Sequence, residues 1–226
     1  MVWMKTAFAL CLLCAPALAG EPVQRAAEIY SRETQGIIAY RTVTESRIRS
    51  LLFNQDSRSE ARIVSRDGIP VHISIERFLI NGKEDEGRRK SKEKETNEAF
   101  RLGHGFLKLP CDLRFMSDYR FSADEGKNTR LVRFTSERRD DQHGHGTMLF
   151  DANQRLIELR ITTNVLPPRV SRGELVFERG EVAPGIVGIK TLRGDYEGSQ
   201  GPIKGTFSMT QRNEDYRRFE TLEEAR

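Results

Sequence analysis

Between Gly146 and Thr162 the chain reads as two short runs about a polar link. Residues 146–150 are mostly apolar. Asp151, Ala152, Asn153 and Gln154 follow, and Asp and Asn favour tight turns because their side chains bond their own backbone. Beyond the link, Ile157, Leu159 and Ile161 fall on one face and Glu158, Arg160 and Thr162 on the other. Period two marks a strand with one dry and one wet face, so this stretch predicts a β-hairpin. Runs of the same kind flank it at 37–48, 51–65, 69–80, 113–123, 130–138, 173–181, 186–196 and 203–210. In the run 69–80, Val71, Ile73, Ile75 and Leu79 share one face, and His72, Ser74, Glu76, Phe78 and Ile80 the other. Asp67-Gly68 and Asn81-Gly82 are hairpin dipeptides. Turns are also expected at 125–128, 183–185 and 197–202, and Pro167-Pro168 breaks the chain where no interior strand could continue. Residues 21–34 carry helical spacing, with Val23, Ala26, Ala27 and Tyr30 on one side and Gly36 as the stop.

About ten strands with little helix do not stay flat; long strands twist and curl. The predicted fold is therefore mainly β: a curved antiparallel sheet of about ten strands, an open half-barrel, with one or two short helices covering its concave face. Two stretches depart from strand patterning. Residues 83–98 are almost devoid of apolar side chains, and the cations Arg88, Arg89, Lys90, Lys92 and Lys94 are offset by Glu84, Asp85, Glu86, Glu93, Glu95 and Glu98. Such a run cannot bury a face and is expected to be a charged, mobile surface loop, with a helix at its end as the alternative. Residues 99–109 are instead apolar, and they predict a flap lying over the sheet. The candidate ligand-lining residues are Phe100, Leu102, Phe106, Leu107, Phe115 and Phe121; the alternative is that Phe100, Phe106 and Leu107 complete a core.

The amino terminus narrows the compartment. Lys5, an apolar stretch over 6–16 and Ala17-Leu18-Ala19 have the order of a secretory signal peptide, so 1–19 is expected to be removed and 20–226 to form one domain. The apolar stretch is shorter than the roughly 20 residues of a membrane span, and no other segment is a candidate span. Cys11 and Cys14 lie within this leader, but Leu12 and Leu13 stand where a lipoprotein signal carries small residues. The full chain has 37 basic and 33 acidic residues. Losing Lys5 leaves 36 − 33 = +3, spread along the chain, with no concentrated patch for nucleic acid. Cys111 is the one cysteine outside the leader; it is a buried inert thiol, an intermolecular bridge or a reactive thiol.

Candidate chemistry is sparse. His143-Gly144-His145 after Asp140-Asp141 is the one constellation with metal-ligand character, since imidazoles at i and i+2 of a strand share a face; the expected reading is a flexible glycine-rich turn, with a metal site at His143 and His145 as the alternative. There is no G-x-S-x-G elbow and no glycine-rich phosphate loop after a strand. His104 and Cys111 could be paired only by the fold. No enzyme activity, cofactor or metal is expected.

The closing run Gly205-Thr206-Phe207-Ser208-Met209 through Asp215-Tyr216-Arg217-Arg218-Phe219, and Ser171 to Phe177 after Leu166-Pro167-Pro168, together with the long paired strands, resemble the LolA-like outer-membrane lipoprotein-sorting proteins. That resemblance implies an open half-barrel whose hollow, under a helical lid, holds acyl chains. The lid would fall on 21–30 and 99–109. The long charged stretch 83–98 departs from it. The expected function is then a periplasmic, non-enzymatic binding protein whose partners are lipid or lipoprotein acyl chains. An envelope adaptor with a self-filled core and a protein partner is the alternative.

Overall fold

The computed structural model describes residues 17–123, 130–200 and 203–226. The leader through residue 16, the turn 125–128 and the tip 201–202 lie outside the described residues. Helix α1 (Ala17–Thr34) leads into β1 (Ile37–Ser50), β2 (Asn54–Arg66), β3 (Ile69–Ile80) and the two-residue β4 (Lys83–Glu84). Helix α2 (Glu86–Arg101) and a 3-10 turn (Met116–Asp118) carry the chain to β5 (Tyr119–Ala123) and β6 (Leu131–Ser136). Strands β7 (Gly144–Phe150), β8 (Leu156–Thr163), β9 (Val170–Ala183), β10 (Ile186–Gln200) and β11 (Ile203–Phe219) follow, then a single helical turn, α3 (Leu222–Ala225).

All eleven strands form one antiparallel sheet in the order β4-β3-β2-β1-β11-β10-β9-β8-β7-β6-β5. The last strand returns to pair with the first along its whole length, Ile37 opposite Phe219 and Ser50 opposite Gly205. The sheet is not closed into a barrel. It is strongly curled, and one hydrogen bond shows how far. The Arg114 guanidinium donates to the Asp67 carbonyl at 2.6 Å, in the β2–β3 turn. In the strand order β2 and β5 are eight spacings apart, about 38 Å in a flat sheet at about 4.8 Å per strand. Arg114 stands only five residues before Tyr119 of β5, about 18 Å of chain at most. The two ends of the sheet must therefore bend toward each other.

The inner face at this end is filled from within. Val23, Ala26 and Tyr30 of α1 are buried against Tyr119, Phe134, Met148, Leu159, Ile161 and Phe177, with Cys111 of the preceding loop among them. The period-two reading holds for Leu159 and Ile161, both 1% exposed, but not for Ile157. A register shift between Leu149 and Phe150 lets Leu156 pair with Phe150 and turns Ile157 outward. A second irregularity, between Glu60 and Ala61, does the same in β3. Beyond it Phe78 is buried on the side of Ile75 and Glu76 is left exposed. A bulge adds one residue to one strand and so reverses the faces after it.

The outer face is a lattice of ion pairs, among them Arg41–Glu60 at 2.6 Å, Arg41–Glu214 at 2.7 Å and Arg160–Glu158 at 2.7 Å. Only near α3 is it dry, where Ala39, Val64 and Ala225 meet.

The expected charged loop at 83–98 is instead β4 and α2. The helix has no buried residue, so no apolar periodicity announces it. It is held by polar side chains that act as a missing strand. The Asn97 amide bonds both the N–H and C=O of Ile73, at 2.9 and 2.8 Å, Glu93 accepts from the Ile75 N–H at 2.6 Å, and Arg89 donates to the Ile75 carbonyl at 2.5 Å. Because β4 pairs only with Leu79 and Ile80, the rest of the β3 edge would otherwise stand open.

Candidate binding groove

Beside that core, across β9, β10, β11 and β1, the same inner face carries a groove lined by no residue of α1 or of the 103–118 segment. Register brings Ile48, Phe207, Tyr196 and Gly173 into one row across β1, β11, β10 and β9. Ser46, Met209, Gly194 and Leu175 form the next. The two glycines have a packing reason. A Cβ on Gly173 would overlap the Tyr196 ring, and one on Gly194 would stand 2.8 Å from Leu175 and 2.9 Å from Met209. The Tyr196 ring therefore lies across Gly173, its centroid 5.8 Å from that of Phe207. Burial pushes the Tyr196 hydroxyl up from its ordinary pKa.

These rings floor an apolar groove of about 490 Å³ whose walls include Ile48, Leu52, Phe53, Val170 and Ile203. Ser50, Ser199 and Thr206 also line it, and its charged margin is Arg169, Glu197 and Lys204. Leu52 and Phe53 of the β1–β2 link form one lip, and Leu51 stands outside it. Leu51, Leu52 and Phe53 are 86%, 74% and 51% exposed. Their backbone is fixed by Ser50, whose hydroxyl and amide both bond Phe53. The sequence places these three residues at the start of a strand; the structure places them in the turn, because pairing with β1 begins only at Asn54, opposite Arg49. The groove offers burial for a chain-like apolar group and a largely cationic margin.

The six expected lining residues are not brought together around this groove. Leu107 and Phe121 pack against the α1-side core. Phe115 lies beneath the cations of Lys108 and Arg114, 5.8 and 5.7 Å from its ring centre. Phe100 ends α2 and faces Gly105, Leu102 is 57% exposed, and Phe106 is half-buried with its carbonyl near the Gln142 amide. Local apolar density marks them in the sequence, whereas the groove is assembled by register from strands far apart in sequence. The signal that could have found it is the run Leu51-Leu52-Phe53 between polar neighbours.

The stopper around α1 is pinned by a polar clasp. His143 is 1% exposed, its Nδ1 2.8 Å from Asp140 and its Nε2 3.2 Å from Asp118. Arg138 closes on Asp118 at 2.7 Å, the Tyr119 hydroxyl donates to the Lys108 carbonyl, and Gln142 donates to the Gly103 carbonyl at 3.0 Å. Burial alone would raise both carboxyls. Hydrogen bonds from Arg138 and His143 on Asp118, and from His143 and the Gln142 backbone on Asp140, outweigh it and hold both below their ordinary value. His145 is exposed and faces Asn164 instead, so the two histidines are not brought to one site. Among the described residues no group of three His, Cys, Asp or Glu side chains is placed to hold a metal ion. Cys111 is fully buried.

No protein-family model matches the chain, and no curated protein sequence matches it. Among solved structures, it is similar to a domain described as an outer membrane lipoprotein-sorting protein from Vibrio parahaemolyticus, at 12% identity and a TM-score of 0.43, covering 89% of this chain and 95% of that one. It is similar to a DUF1329 family protein from Desulfovibrio piger, at 10% identity and a TM-score of 0.39, covering 91% and 99%. It is also similar to lipovitellin, at 8% identity and a TM-score of 0.36, covering 82% of this chain and 26% of that one. The chain thus spans about a quarter of the lipovitellin chain. No helix among the described residues is long and apolar enough to cross a membrane.

Proposed function

We propose that this protein is an exported, non-enzymatic carrier that holds an apolar chain in the uncovered groove: an acyl chain, a lipid or a lipoprotein anchor. The observation that carries the reading is the groove itself, about 490 Å³ floored by Tyr196 and Phe207 and left open by the protein's own helices. Each methylene buried there contributes about 0.8 kcal/mol. A chain of twelve would gain on the order of 10 kcal/mol before ordering costs, with no catalytic group required. The leader-like residues 1–19 support a periplasmic site of action.

Two measurements test it. Mass spectrometry of lipids extracted from protein purified from its native envelope should recover a bound acyl species. Phe207→Ser should weaken a fluorescent fatty acid by about tenfold, the equivalent of one to two methylenes of burial. Absence of co-purified lipid together with no fatty-acid binding would sink the carrier reading. That result would favour the adaptor reading, which draws on the self-filled end, where α1 and Cys111 already occupy the inner face.

A further inference from the structure

We propose that the groove end of the molecule is a membrane-docking edge, whose Leu51-Leu52-Phe53 tip enters an anionic lipid surface. Three consecutive large apolar residues stand at the turn of a long hairpin, 86%, 74% and 51% exposed, and none of them belongs to a buried core cluster. Exposed apolar clusters of this kind mark interaction sites. Their position is fixed, because the Ser50–Phe53 bonds close the turn and β1 and β2 carry it at their ends.

Charge selects the partner. Described residues of three chain segments meet at this end: 50–53, 168–170, and 198–199 with 203–205. None contains an Asp or Glu, and they bring Arg169 and Lys204. In the last strand row behind them stand Arg49, Glu197 and Arg172. Arg49 is held by Asp56; Arg169, Arg172 and Lys204 have no ion pair among the described residues, Glu197 stands in that row, and Asp140 adjoins Val165, whose N–H its carbonyl accepts. Apolar insertion beside a cationic margin is the chemistry of attachment to anionic headgroups, in which each basic residue near the surface adds about 1 kcal/mol. A protein partner would be served by the apolar tip alone; the three unpaired cations Arg169, Arg172 and Lys204 beside that tip are what favour a bilayer. Leu52 and Phe53 also wall the groove, so a docked molecule would present its binding site directly to the lipid. That last step rests on the carrier reading; the docking does not.

The experiment is co-sedimentation of the full chain with phosphatidylcholine vesicles, with and without about 30% phosphatidylglycerol, at low and high salt. The wild type should partition to the anionic vesicles and be released by salt. Leu51 does not wall the groove, so Leu51→Glu should lower vesicle binding by about tenfold and leave fatty-acid affinity unchanged. Arg169→Gln with Lys204→Gln should remove the preference for the anionic vesicles. Phe207→Ser should do the reverse of Leu51→Glu, losing fatty acid and keeping vesicles, so failure of the carrier reading is distinguishable from failure of docking. Thermal unfolding of each variant establishes that it is folded. The proposal is overturned if the wild type stays in the supernatant with anionic vesicles, or if Leu51→Glu sediments as well as the wild type. It is equally overturned if Leu51→Glu instead abolishes a dimer seen by size exclusion, which would make the tip a contact between copies of this chain.

Discussion

Gly146 sits where β7 passes closest to β8, and a Cβ there would overlap the backbone carbonyl of Arg160. Backbone cannot step aside as a side chain can. Gly146→Ala is expected to cost about 2 kcal/mol or more by separating the two strands, read by chemical denaturation. Gly185, at φ +72 with nothing near it, needs its glycine for conformation instead. Cys111 makes a prediction about pH. Burial pushes its thiol up from 9.0 to about 12, and burial likewise pushes Tyr40 up from 10.0 to about 12. Both groups stay neutral when folded while the unfolded chain ionises first. Their contribution to stability is therefore complete below about pH 9 and is lost as pH rises toward 12. Alkaline denaturation should follow that window, and native Cys111 should resist iodoacetamide at pH 8 while reacting freely in denaturant. Fast alkylation of the folded protein would contradict the burial argument.

At the scale of elements, the strands were legible because β-branched residues recur at period two, and α1 because Val23, Ala26, Ala27 and Tyr30 share one side. Helix α2 was not, because it docks through Asn97, Glu93 and Arg89 on a strand edge and buries no apolar face. The bulges at Leu149 and Glu60 were equally hidden, since an extra residue leaves composition unchanged and shows only in pairing. The helix is expected to be detachable. Asn97→Ala removes two backbone bonds from Ile73, about 1 to 3 kcal/mol. In hydrogen exchange the Ile73 amide should lose protection while the β1–β11 ladder keeps its own. The opened β3 edge should raise the tendency to associate edge to edge, seen by light scattering. Uniform loss of protection across the sheet would instead mean that α2 is integral to global folding.

The whole molecule is two unequal territories on one face, and they differ in how far sequence could reveal them. The filled one was partly readable, because α1 advertises its apolar side. The groove was not, because Ile48, Tyr196, Val170 and Phe207 become neighbours only through the register of four strands. The clasp of Asp118, Asp140, Arg138 and His143 binds the stopper to the sheet, and it should loosen in acid. Both carboxyls are held below their ordinary 3.8. The stability they give is present above about pH 4 and falls away as pH drops through their lowered values. Near-ultraviolet circular dichroism should report loss of the Tyr119 environment before the sheet signal is lost. Asp118→Asn should remove part of that acid dependence. The stopper also has a consequence for traffic. With α1 packed on the rest of the inner face, the uncovered stretch is the one place where the proposed carrier would take up its chain, so loading and release would share a single berth.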